Sequence, residues 1–137
     1  AMSGKSLPLT GTGDETRDFT YVLDLVQGLV KAAYYEEAIG QAFNLASGKE
    51  TKINDMISLV NKATDNSTPI TKYPARKWDT KKRLLASIEL AGELIDYKPI
   101  VSFEDGLNEN FKWFGNNWDK VQKAADFPIG MSSAVRK

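Results

Sequence analysis

The chain has 137 residues, 42% hydrophobic and 26% charged, which suits one ordinary globular domain with one core. Lys plus Arg and Asp plus Glu both number 18, so no bulk charge directs the chain to nucleic acid or an anionic membrane. Cys and His are both absent, which excludes disulfides, thiolate chemistry, a His/Cys zinc site and the commonest general base.

Ala1-Met2 has the look of a cloning remnant. Residues 3–17, rich in Gly, Thr, Ser and Pro, read as turn or extended chain. Val22, Leu25, Val26, Leu29 and Ala33 share one helical face, which predicts an amphipathic helix over 21–35. The apolar run Ala42-Phe43-Asn44-Leu45-Ala46, closed by Ser47-Gly48, predicts a buried strand and turn. Thr51 is placed to cap a second helix whose Ile53, Met56, Ile57 and Val60 face inward. Pro69 to Tyr73 fits an edge strand, and Arg83 to Ala86 is extended. A short helix from Ser87 carries Ile88, Ala91, Leu94 and Ile95, and ends at Tyr97-Lys98-Pro99. Ser102-Phe103-Glu104-Asp105 has the capping-box pattern. It opens a helix with Leu107, Phe111, Phe114, Trp118 and Val121 along one stripe, leaving Trp113 off that face. From 128 to 137 the chain reads as a tail, which bounds a single domain at 1–127. The pattern predicts an α+β fold, mainly helical with a few short strands, and not a doubly wound nucleotide fold. No apolar run approaches the roughly 20 residues of a membrane helix.

Four motifs bear on chemistry. Gly11 and Gly13 suggest a dinucleotide loop, but the third glycine is replaced by Thr16 and no apolar strand precedes the pair. Tyr73 and Lys77 spell Y-x-x-x-K, yet that base needs the two residues one helical turn apart, and this stretch carries Pro74. Asn66-Ser67-Thr68 matches a glycosylation acceptor and reads as chance. Arg17, Arg76 and Arg83 stand near loops and strand ends. Each offers a planar donor fork suited to phosphate. Each also has acidic neighbours: Asp14, Glu15 or Asp18 for Arg17, and Asp79 for Arg76 or Arg83.

The block from Gly11 to Gly28, with Arg17-Asp18-Phe19-Thr20-Tyr21-Val22 at its centre, resembles a signature of the nucleotide-sugar epimerases and dehydratases, the extended short-chain dehydrogenase/reductases. Further likenesses follow in order: Phe43-Asn44-Leu45-Ala46-Ser47-Gly48, Arg76-Lys77-Trp78-Asp79, Ser87 to Leu94, Tyr97-Lys98-Pro99, and Phe103 to Leu107. Together they span about residues 5 to 120 of the sequence. Departures occur at Asp14-Glu15-Thr16, at Trp78 and at Ile95-Asp96, which leaves the subfamily open.

The resemblance implies a C-terminal substrate-binding domain without the Rossmann half, excised or encoded by a truncated gene. Arg17 and Arg76 would clamp the diphosphate of a nucleotide sugar, with a UDP-sugar foremost, while Pro8, Leu9 and Thr10 lie along the base. It implies hydride transfer from a sugar carbon to NAD in the parent enzyme, then epimerisation, dehydration or decarboxylation. This chain would hold no catalytic residue, cofactor site or metal, and would be inactive alone. The implied partners are the nucleotide sugar and the missing Rossmann half, with no nucleic acid and no membrane. A homodimer through exposed apolar surface and a cytoplasmic location are also expected. The alternative is a free-standing nucleotide-binding or protein-interaction module without catalysis.

Overall fold

Leu9 sits between Pro8 and Thr10 as the apolar centre of the first strand, β1 (Pro8–Thr10), and it is 2% exposed. The computed structural model describes residues 1–125. In it β1 runs parallel to β4 (Thr71–Tyr73), with Leu9 opposite Lys72, and the Gly11 amide extends the ladder to the Tyr73 carbonyl at 3.0 Å. β2 (Thr16–Asp18) runs antiparallel to β3 (Glu50–Lys52), with Arg17 opposite Thr51. On its other side Thr16 bridges Arg83. Five helices accompany these two small sheets among the described residues: α1 (Val22–Tyr34), α2 (Ile53–Ala63), α3 (Glu89–Ile95), α4 (Phe103–Asn116) and α5 (Trp118–Ala125). This is the expected α+β architecture, and the described residues form no doubly wound sheet. The tail expected at 128–137, and the last two residues of the expected domain, lie outside the described residues.

Several boundaries differ from expectation for clear reasons. Thr51 does not cap α2, because it is paired in β3. The first amides of that helix are satisfied instead by backbone: Ile53 N–H donates to the Glu15 carbonyl and Asn54 N–H to that of Gly13. α3 begins at Glu89, two residues after Ser87, whose Oγ accepts from the Glu89 amide at 3.4 Å. The capping box holds in part. Ser102 Oγ accepts from the Asp105 amide, but the Asp105 carboxylate takes the Ser102 hydroxyl rather than its amide. The long aromatic helix breaks at Asn117 into α4 and α5, and its stripe is half-buried at best, with Phe114 exposed.

Two departures concern the core. Residues 42–46 form no strand: Ala46 is buried and Phe43 and Leu45 are half-buried, but no neighbouring strand offers them a ladder. The helix over 21–35 forms as α1, yet Val22, Leu25, Val26 and Leu29 on its apolar face are exposed. α1 is buried on its opposite side through Asp24 and Gly28. Asp24, 3% exposed, accepts from the amides of Ile100 at 3.1 Å and Val101 at 3.0 Å, which fixes the approach to α4. Gly28 lies against Leu45 and Tyr97, in a cluster centred on Ala91, Ile95 and Tyr97. The Tyr97 hydroxyl donates to the Ala46 carbonyl at 3.0 Å. Burial pushes the Tyr97 phenol up from its ordinary pKa, and the charges of Asp24 and Asp18 add to that.

A Cβ on Gly28 would stand 2.7 Å from Leu45 Cδ2 and 2.9 Å from the Tyr97 ring. Leu45 can yield, but the buried ring cannot. Gly28→Ala therefore lowers stability by about 1–2 kcal/mol, overpacking outweighing the helix-propensity gain of alanine. Urea unfolding monitored by circular dichroism measures this, and an unchanged or raised midpoint would contradict the packing described.

Candidate anion-binding cleft

Two short strands carry the candidate groups, and the turn between them sets their direction. Gly11 and Gly13 both have positive φ, 89° and 85°, a region that favours glycine. At Gly13 the position is doubly restricted, because a Cβ there would collide with the Asn54 side chain of α2. The turn is closed by Glu15, whose carboxylate accepts from the Gly13 amide at 2.8 Å. Backbone hydrogen bonds, the amides of Glu15 itself, Gly13 and Thr12 among them, hold the Glu15 carboxyl below its ordinary pKa against slight burial. The glycine pair is thus a turn filled by the chain's own carboxylate, and it lies between two strands rather than between a strand and a helix.

Past this turn β2 presents Arg17. An open cleft of about 260 Å³ is lined by Pro8, Leu9 and Thr10 of β1, by Arg17, and by Arg76 on the loop after β4. All four residues singled out from the sequence, Leu9, Thr10, Arg17 and Arg76, therefore meet in one place. Leu9 is buried as a whole residue, so Pro8 and Thr10 give β1 its accessible surface at the cleft. Ile53, Met56 and Ile57 of α2 form an apolar wall. Lys81 also lines the cleft; it stands in the Lys81-Lys82-Arg83 run, and no spacing in the sequence separates it from its neighbours.

The electrostatics are uneven. Arg17, Arg76 and Lys81 face Glu15 and Asp79 in the same cleft. Arg17 donates through Nη1 to the Thr16 carbonyl at 2.7 Å and forms no ion pair among the described residues. Arg76 is paired with Asp79, Nε to Oδ2 at 2.7 Å and Nη2 to Oδ1 at 3.0 Å. The Arg76 guanidinium holds the Asp79 carboxyl below its ordinary pKa, and the Arg17 charge adds a smaller pull. Arg83 lies outside the cleft and pairs with Glu50 at 2.8 Å through both Nε and Nη2. Thr16 Oγ1 donates to the same Glu50 carboxylate.

The remaining motifs carry no site. Tyr73 ends β4 and Lys77 stands in the following turn, so the pair never shares a helix. Asn66 is 8% exposed, its amide nitrogen donating to the Lys5 carbonyl and to Asn61 Oδ1. That buried, satisfied amide makes a poor glycosylation acceptor. Another groove, of about 220 Å³, runs between residues 19–22 and α4, but no charged side chain lines it. Among the described residues no helix is long and apolar enough to cross a membrane.

The comparisons with known proteins agree with this architecture. Residues 1–46 match the family model described as NAD dependent epimerase/dehydratase family. The chain is 32% identical, over its whole length, to 32% of UDP-glucuronic acid decarboxylase 1 of Danio rerio. It superposes with a TM-score of 0.87 on the epimerase Mth375 of Methanothermobacter thermautotrophicus, at 45% identity over 89% of this chain and 36% of that one. The Bordetella bronchiseptica enzyme WbmF, solved with NAD+ and UDP, superposes with a TM-score of 0.76 at 34% identity over 89% of this chain and 35% of that one. The chain is thus similar in sequence and fold to proteins of the NAD dependent epimerase/dehydratase family. It spans about a third of the length of the curated relatives it matches.

If Arg76 is what depresses the Asp79 carboxyl, Arg76→Ala returns its pKa toward the ordinary aspartate value. Carbon-detected NMR titration of the Asp79 side chain measures this, and an unmoved midpoint would show that another group sets it.

Proposed function

We propose that this chain supplies the diphosphate-binding surface for a nucleotide sugar, in an enzyme whose redox cofactor is held elsewhere. The observation that carries this reading is the convergence of Arg17 and Arg76 with β1 on one cleft. A diphosphate diester carries roughly two negative charges, and guanidinium forks match its oxygens in shape and charge. Arg17 has donors to spare. The backbone of Pro8–Thr10 and the apolar wall of Ile53 and Met56 suit a flat, partly polar base. Relatives named for UDP-sugar substrates, and the UDP in the WbmF structure, favour a UDP-sugar. The same relatives weigh against a free-standing module without catalysis.

The residues here do not fit a dinucleotide. The Gly11–Gly13 turn is filled by Glu15 and lacks the strand–turn–helix setting that cradles a pyrophosphate. NAD, by this reading, belongs to the part of a full-length enzyme that this chain does not match. Holding the non-reacting diphosphate would orient the sugar toward that part, which is how remote binding contributes to rate. The exposed face of α1, with Val26 at 45% and Leu29 at 56% exposure, is the surface that such a part would cover. Residues 42–46 would likewise gain the ladder they lack, completing a sheet.

Two outcomes are expected. Calorimetric titration with UDP-, GDP-, dTDP- and CDP-sugars should show binding of one class, UDP foremost, and Arg17→Ala should weaken it by about 10- to 100-fold. Equal binding by wild type and Arg17→Ala would remove Arg17 from the site. In sedimentation, the chain alone should self-associate as concentration rises, through the α1 face. Leu29→Glu should restore a monomer at a stability cost below about 0.5 kcal/mol, as for an exposed position. A wild-type chain that stays monomeric would contradict this.

A further inference from the structure

Arg76 does not stand free in the cleft. Asp79 takes its Nε–H and one Nη2–H, and the Asp79 amide closes the turn by donating to the Arg76 carbonyl at 3.0 Å. The guanidinium carbon also lies 5.6 Å over the Trp78 ring. The carboxylate therefore occupies a fork that a phosphate would otherwise use, within the same cleft as Arg17. The side chains of Arg76 and Asp79 are 57% and 28% exposed, so the pair is weakly held and exchanges readily with solvent and ions. Arg83 and Glu50 form a similar fork outside the cleft, where an entering anion would not reach it.

We propose that Asp79 is an affinity-setting residue of this site, an internal counter-ion that holds the Arg76 fork until a diphosphate displaces it. The proposal rests on the reading of the cleft as a diphosphate site. A bridging diphosphate has two phosphoryl groups. One can engage Arg17 at once, and this places the other beside Arg76 at high local concentration, where it competes with the carboxylate. A ligand with one anionic group engages Arg17 alone and leaves the Arg76–Asp79 pair closed. Trp78 supports the guanidinium from its face while the carboxylate leaves, so Arg76 stays directed at the cleft. The Lys81 charge on the same rim draws the second phosphoryl group inward.

The test uses the 137-residue chain and inorganic pyrophosphate, followed by calorimetry, in wild type, Asp79→Asn, Arg76→Ala, the double variant Arg76→Ala/Asp79→Asn, Arg17→Ala, and Glu109→Gln. Asp79→Asn should bind pyrophosphate about threefold tighter than wild type, the size expected for releasing one exposed ion pair. The gain should vanish when Arg76 is also replaced. Glu109→Gln removes an equal charge from the exposed pair with Lys112 on α4, outside the cleft, and should leave affinity unchanged. Binding by Asp79→Asn where wild type shows none would support the proposal equally. An unchanged or weaker affinity in Asp79→Asn would overturn it, as would a gain that survives in the double variant or appears in Glu109→Gln. Wild-type binding that depends on Arg17 but not on Asp79 would sink this proposal and leave the diphosphate reading intact. Absence of binding in both wild type and Asp79→Asn would end both.

Discussion

The carboxylate of Asp18 ties together three parts of the chain that are remote in sequence. Its Oδ1 accepts from the amide and hydroxyl of Ser47, at 2.9 and 2.6 Å, and its Oδ2 from the amides of Gly48 at 3.0 Å and Ala86 at 3.5 Å. Hydrogen bonds to a charged acceptor are the stronger kind, and those four donors would otherwise lose partners in a half-buried site. Because Asp18 is the last residue of β2, this junction fixes the strand that carries Arg17. The Glu50 carboxylate adds a second tie across the same strand, joining Thr16 to Arg83. The direction of Arg17 toward the cleft follows from these two acidic pins.

The same logic explains why so much of the family-like block is acidic or small rather than ligand-facing. Asp18 and Asp24 are acceptors for backbone amides, and Gly28 makes room for Tyr97. Asp24 holds the approach to α4 as Asp18 holds the approach to α3. Of that block Gly11, Glu15 and Arg17 line the cleft, and Arg17 is the one cation among them. Most of this block therefore fastens loops, and one cationic side chain within it lines the cleft.

The apolar surface is divided in an unusual way. Leu9, Ile57, Ala91, Ile95 and Tyr97 are buried within the domain, while Val22, Leu23, Val26, Leu29, Val30 and Tyr34 of α1 are bare. A monomeric protein rarely exposes a contiguous patch of that kind. Residues 42–46, whose Leu45 meets α1 at Gly28, have their backbone outside any ladder among the described residues. Both features are explained if the domain is one side of a larger core, which agrees with the third of its relatives' length that it matches. No α1 residue lines the cleft, which is built from β1, β2, α2 and the loop after β4.

Periodicity and caps were enough to place α1, α2 and the start of α4, because helix signals are local: apolar spacing, Ser102 as a cap, Pro99 as a stop. It was the family resemblance, and no local pattern, that named Leu9, Thr10, Arg17 and Arg76 together, and all four line one cleft. Other features depended on residues distant in the chain. The partner of β2 could not be read locally, since Thr51 suits a cap as well as a strand, and its pairing with Arg17 decides the matter. Periodicity could show that α1 has an apolar face but not which side the domain buries, because Asp24 and Gly28 find their partners 76 and about 70 residues further on. Asp79 stood as a neighbour of both Arg76 and Arg83, and packing settled its partner by bringing Glu50 to Arg83 across β2 and leaving Asp79 to Arg76 within one turn. The sequence determined the local helices and the identity of the charged groups. The tertiary structure decided which charges meet and which apolar face stays open, because both depend on contacts between segments that no local pattern encodes.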